Sequence, residues 1–252
     1  MKKAFWKNLA LSAIGVGTLA LVWLIAWISV GNEFIVPNLF LCLKKAVLLL
    51  FDKVFWAAAL FTLKRVLIAF CISAVLALVL AVVAYLYPSF EKIVAPIAGV
   101  LRATPILGVL LIILVLTEKS SVTTVIVAFL SLFPMLYAEM LSAFKGVDKD
   151  LIEMSKVYQV PLKRQITALY LPSVLPQILR QGGAAIGFGV KLVVSAEVLA
   201  HTANGLGVLM QDMQIFDEIP TMYALIILSC ALAFAFETAF TALARLAERR
   251  GK

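Results

Sequence analysis

Six separated runs of roughly twenty apolar residues, at about 9–30, 63–86, 94–116, 122–143, 173–200 and 222–243, constrain this chain more than any other feature. A helix of that length matches a hydrocarbon core of roughly 30 Å. Of the 252 residues, 63% are hydrophobic and only 14% charged. A water-soluble fold has too little polar side chain in such a mixture to cover its surface. The expected fold is therefore an all-α polytopic membrane protein with about six transmembrane helices. The first run follows Met1-Lys2-Lys3 in the manner of a signal peptide. It has no small-x-small cleavage site and carries Trp23 and Trp27 near its end, so it reads as a retained anchor.

Residues 38–60 are apolar but interrupted by Lys44, Lys45, Asp52 and Lys53. Spanning would hold those charges in lipid at high cost, so an amphipathic helix on the outer surface is expected there. This divides the chain into an anchor with its outer segment at 1–62, a permease-like core at 63–245, and a basic tail at 246–252. The net charge of +8 raises nucleic acid or anionic lipid as partners. Its placement argues for topology instead, and against nucleic acid. With the N-terminus inside, Lys2, Lys3, Lys7, Lys145, Lys149, Lys156, Lys163, Arg164, Arg245, Arg249, Arg250 and Lys252 all fall on inner segments. The outer loop at 201–221 has no Lys or Arg, only Asp212, Asp217 and Glu218. Positive-inside asymmetry thus predicts a cytoplasmic N- and C-terminus.

Within the spans, Arg102-Ala103-Thr104-Pro105 should break the third helix near its inner end. The fifth starts at Pro172 and Pro176 and then holds Gly183 and Gly187 in a G-x-x-x-G. That spacing permits close helix approach, either within one subunit or between two. Ionisable residues inside spans are costly and mark candidate function. Lys191, Glu197 and Arg102 are the pathway candidates. Lys191 either lines the route of an anion, as a compact cation in low dielectric, or pairs with Glu139 or Glu237. Glu197 lies six residues beyond it, about 240° around the helix, so the two do not share a face. The three cysteines show no metal or redox spacing, and lone His201 makes no metal site. No catalytic triad or paired-carboxylate arrangement emerges, and G-x4-G-K-[ST] is absent. Neither an enzyme nor a nucleotide-binding protein is therefore expected.

The segment Asp148–Pro172, DKDLIEMSKVYQVPLKRQITALYLP, is long for a connector and far more charged than the spans beside it. Leu151, Ile152 and Met154 among Glu153, Ser155 and Lys156 suit a short amphipathic helix ended by Pro161, with a second from Leu162 to Tyr170. Such a helix–turn–helix beneath the membrane has the form of a docking element. Its residues resemble the E-A-A-x3-G-x9-I-x-L-P motif of ATP-binding-cassette importer permeases of the binding-protein-dependent type. Glu153, Ser155 and Leu171-Pro172 match, while Met154, Gln159 and Leu169 stand where the family has Ala, Gly and Ile. Gly commonly marks a turn at that position, and Pro161 is expected to make it here. Arg65, Leu101-Arg102-Ala103-Thr104-Pro105, Gly146-Val147-Asp148, Ala196-Glu197 and Ala203-Asn204-Gly205-Leu206-Gly207 extend the likeness to the nitrate, sulfonate and taurine branch over roughly residues 60–245.

The resemblance implies that Glu153, Met154, Ser155, Gln159, Leu169, Leu171 and Pro172 form the coupling element for a cytoplasmic ATPase. It further implies an extracytoplasmic solute-binding protein, a second permease copy, a bacterial plasma-membrane location and a small anionic solute. ATP and Mg would be bound by the ATPase, with no cofactor in this chain. The competing reading is a stand-alone secondary transporter or channel in which Lys191, Glu139 and Glu237 carry ion coupling. Against it, six spans without internal repeats are few for a self-contained carrier.

Overall fold

The computed structural model describes Lys2–Arg250, with side chains described for residues 14–248. The charges placed at Lys2, Lys3, Lys7, Arg249, Arg250 and Lys252 thus lie outside the described side chains. Every regular element among the described residues is helical: α1 (Lys2–Val30), α2 (Leu39–Leu49), α3 (Lys53–Leu86), α4 (Pro88–Ala103), α5 (Ile106–Thr117), α6 (Ser120–Lys145), α7 (Lys149–Val157), α8 (Leu162–Gln165), α9 (Leu171–Leu199), α10 (Leu206–Ile215) and α11 (Ile219–Arg250). Four continuous helices are long and apolar enough to cross a membrane: Lys53–Leu86, Ser120–Lys145, Leu162–Leu199 and Ile219–Glu248. The pair α4 and α5 supplies a fifth candidate in two pieces. The described part of the first apolar run, Ile14–Val30, is a shorter apolar helix.

Two expectations change in detail, and the break in the third run stands. The second apolar run does not begin near residue 63. It starts at Lys53 and forms a helix of 34 residues, about 51 Å long at 1.5 Å per residue, so the separate outer helix is confined to Leu39–Leu49. The third run is bent by 93° at Thr104-Pro105, the break expected of a proline that denies the helix an N–H. The predicted second helix of the 148–172 loop is not separate from the fifth span. A π-helical turn at Ile166–Tyr170 joins α8 to α9, with the Leu171 N–H reaching the Ile166 carbonyl. Pro172 has no N–H to offer the turn before it, and a widened i→i+5 register just upstream absorbs that loss.

Two compact units are present. One gathers the chain up to Trp56 with Leu209–Leu228. It is tied by an edge-on ring contact between Trp23 and Tyr223, centroids 5.3 Å apart, and by Lys45 against Glu218 at 3.1 Å. Hydrogen bonds from Lys45 and Thr221 hold the Glu218 carboxyl below its ordinary range.

The other unit gathers Ala57–Val208 with the residues from Ser229 onward. Its centre is α9, whose most apolar stretch is 61% buried against 28% for α3. Glycines make that possible. A Cβ on Gly183 would lie 2.6 Å from the Phe240 Cβ and 3.1 Å from the Glu237 carbonyl oxygen, and one on Gly187 would lie 3.3 Å from the Ala233 carbonyl oxygen. The G-x-x-x-G therefore packs α9 against α11 of the same chain, which resolves the two alternatives left open by the spacing. Gly189 presents its bare edge to Val66 of α3 and Leu132 of α6. An Arg180–Glu248 ion pair adds a second tie between α9 and α11. Gly183→Val should destabilise the chain by about 1–3 kcal/mol through overpacking, read as a lower midpoint of heat-induced aggregation in detergent. An unchanged midpoint would show that α9 and α11 do not pack this closely.

Candidate functional site

Three clusters carry chemistry in the larger unit. The first is the 148–172 loop. Asp148 caps α7, its side chain accepting from the Asp150 N–H at 2.9 Å. One side of the loop is pinned: Ile152, Leu169 and Tyr170 pack on a buried cluster of Ala143, Val147 and Val174. Ser155 is buried and donates to the Ile152 carbonyl at 2.7 Å, which explains why the motif wants a small residue there. The other side is open. Met154 is 54% exposed, Val157 77%, Tyr158 74% and Leu162 70%, while Glu153 is exposed beside them. A cavity of about 450 Å³, bordered by Leu151, Met154, Tyr158, Arg164 and Leu169, opens between the two helices.

The turn between those helices corrects the sequence reading. It is made by Gln159 itself, in the left-handed region at φ 49°, and not by Pro161. The Val160 N–H reaches the Ser155 carbonyl at 2.9 Å and the Gln159 N–H reaches Lys156 at 3.0 Å, the 6→1 and 5→2 pair of a Schellman ending. A glycine would fit this position without strain, and the glutamine holds the same geometry at about 1–2 kcal/mol. Gln165 reinforces it, donating to the Val160 carbonyl at 2.7 Å. Pro161 then opens α8 as its N-cap. Leu171 is exposed and Pro172 half-buried, both inside the continuous fifth helix.

The second cluster is a cleft of about 530 Å³ at the α4–α5 break. Arg102, Thr104, Ser131, Glu139, Phe188 and Leu192 border it, and Arg102 donates to the Pro134 carbonyl at 3.1 Å. This volume lies within the range of small-molecule sites. Lys191 is exposed on the adjoining face of α9. Among the described residues it pairs with neither Glu139 nor Glu237, since the four ion pairs found involve other groups.

The third cluster unites residues that are scattered in the sequence. Glu197 has no exposed surface and forms an ion pair with Arg65, which is 7% exposed. Thr62 donates to both carboxylate oxygens at 3.0 and 2.9 Å, and the Gly207 N–H donates to Oε2 at 3.0 Å. Arg65 also donates to the Asn204 carbonyl at 2.6 Å and to Ser121 Oγ at 3.0 Å. The Leu206 N–H closes the ring on Thr62 Oγ1 at 2.8 Å. Gly205 sits at φ +141°, and a Cβ there would run into the Glu197 carboxylate; the turn demands glycine on both counts. Arg65, Glu197 and the 203–207 stretch had each been singled out, and their mutual contact is what the sequence did not reveal. The six-residue spacing correctly separated Lys191 from Glu197, and burial takes Glu197 out of the cleft altogether.

An all-helical bundle with four long apolar helices among the described residues, a bent candidate span and a structured 148–172 loop has the form of a multi-pass membrane protein. The chain belongs to the family described as binding-protein-dependent transport system inner membrane component, whose model matches residues 73–250. It is 24% identical over 242 residues to the taurine transport system permease protein of Escherichia coli strain K12, covering 92% of this chain and 87% of that protein. It is 25% identical over 207 residues to a putative aliphatic sulfonates transport permease protein of Bacillus subtilis strain 168, covering 80% and 75%. Among solved structures its fold matches an inward-facing methionine ABC transporter with a TM-score of 0.64 at 16% identity, covering 78% of this chain and 98% of that one. It also matches a bacterial alginate ABC transporter in complex with an alginate-bound periplasmic protein, with a TM-score of 0.63 at 15% identity over 98% and 97%.

Removing one partner of the buried pair strands the other charge. Arg65→Met should cost about 3–5 kcal/mol and lower the thermal midpoint sharply, while Arg65→Met with Glu197→Leu should recover much of the loss. Equal losses in the single and double variants would contradict the pairing.

Proposed function

We propose that this chain is the membrane permease of an ATP-driven importer that moves a small organic anion of the sulfonate or taurine type into the cytoplasm. The observation that carries the reading is the 148–172 loop. One side packs on Ala143 of α6 and Val174 of α9, and the other presents Met154, Val157, Tyr158 and Leu162 as exposed apolar side chains. Exposed apolar side chains on a rigid two-helix platform, outside the membrane, are what a protein partner covers. The partner is a cytoplasmic ATPase that supplies ATP and Mg chemistry, since this sequence has no phosphate-cradling loop. Because α8 continues into α9, a push on the loop is delivered to the central helix without a flexible joint. Closure and opening of the ATPase pair thus drive alternating access in the permease.

The names of the sulfonate and taurine relatives support the solute class, and the periplasmic protein in the alginate transporter complex supports delivery by a solute-binding protein. Arg102 in the cleft and Lys191 on the adjoining face of α9 are the cations offered to that anion. A second copy of the chain completes the passage. The basic loop and tail support a cytoplasmic position for the loop and both termini, in a bacterial plasma membrane.

Capture of the ATPase by detergent-solubilised protein tests the docking role. Glu153→Arg should abolish capture, and so should Gln159→Val, because a β-branched residue resists the left-handed turn. Gln159→Gly should retain it. Capture unaffected by both damaging variants would remove the loop from the interface. Arg102→Met and Lys191→Met should each lower uptake about tenfold or more, the loss of one charged contact, with ATPase capture intact. Normal uptake by either variant at normal expression would take that residue off the path.

A further inference from the structure

The helix α2 was expected as an amphipathic helix on the outer surface, and its exposed side is largely apolar. Cys42 and Ala46, at 0% and 5% exposure, are buried. At 100° per residue, Phe40, Leu43 and Val47 fall within roughly 60° of one another, centred about 90–130° around the helix from Ala46 and Cys42, and Phe51 follows in the same direction just past the helix end. Phe40 and Phe51 are each 84% exposed and Val47 56%. Lys44 is the one charge beside them on that side. With 11 residues, about 16 Å, α2 is far too short to cross the bilayer.

The surroundings fix its depth. Trp23 donates to the Pro37 carbonyl at 3.0 Å and Tyr223 to the Ile35 carbonyl at 3.1 Å, just before α2. Trp56 donates to the Leu50 carbonyl at 2.8 Å, just after it. Both ends of α2 are therefore tied to amphipathic aromatics, the residue type that settles at the level of lipid headgroups. The helix follows α1, apolar and exposed at Leu19, Val22 and Ile25, within the same smaller unit. Lys45, tied to Glu218, keeps the helix from rolling over.

We propose that α2 is an interfacial helix whose Phe40–Val47–Phe51 side is embedded in the outer-leaflet lipid, with Lys44 reaching out to the headgroups. Aromatic and aliphatic side chains dip below the headgroup layer, and a lysine stem snorkels beside them. The occupant of this surface is bilayer lipid, not a protein subunit and not water. The inference is independent of the transported solute.

Site-directed spin labels on the full chain in lipid vesicles test it. In a background with exposed Cys71 and Cys230 changed to alanine and buried Cys42 kept, single labels replace Phe40→Cys, Val47→Cys and Phe51→Cys, with Glu33→Cys as the water-facing control. Collision with oxygen, which concentrates in lipid, should exceed collision with a water-soluble nickel chelate several-fold at all three sites, and the ratio should invert at Glu33. Chelate accessibility equal to the control would show a water-facing surface. Protection from both reagents would show a protein covering it. Either result overturns the proposal.

Discussion

The buried contact between Arg65 and Glu197 is the interaction on which the larger unit depends. A carboxylate with no exposed surface survives in an apolar bundle only if its charge is matched and its lone pairs are filled. Here a guanidinium, a threonine hydroxyl and a backbone N–H do this from three directions. Two of those donors belong to α3 and the third to the start of α10, and Arg65 also reaches Ser121 of α6, so one carboxylate on α9 ties α3, α6 and α10 to it. The glycine at 205 belongs to the same arrangement, since no larger residue leaves the carboxylate room.

The second constraint is the lipid. It lets most of the outer surface be Leu, Ile, Val and Phe, and it shifts the burden of specific packing onto small residues. Gly183, Gly187 and Gly189 bring the backbone of α9 close to α11, α3 and α6, where shape and not apolar transfer sets the fit. With α9 so held and continuous with α8, motion imposed on the 148–172 loop has few ways to dissipate before it reaches the helices around it.

Much of this was legible in the sequence. The apolar runs marked the helices because about twenty predominantly apolar residues match the bilayer core, and Thr104-Pro105 marked the break because proline lacks its donor. The loop was legible from its charge and its residue spacing. Three features escaped for physical reasons. The π-helical turn at 166–170 leaves no hydrophobic signature, because it alters hydrogen-bond register and not composition. Gln159 adopts a conformation that residue type disfavours, so the turn was assigned to Pro161 on ordinary propensity. The Arg65–Glu197 contact joins positions 132 apart in the chain, and pairing over that distance is set by helix packing that no local pattern encodes.

The most direct measurement of the central claim is solute uptake by vesicles containing this chain, its ATPase and its solute-binding protein, with each component and internal ATP omitted in turn. The account predicts accumulation of a sulfonate-type anion only when all are present, with no response to an imposed ion gradient. Accumulation driven by a proton or sodium gradient in vesicles holding this chain alone would contradict it.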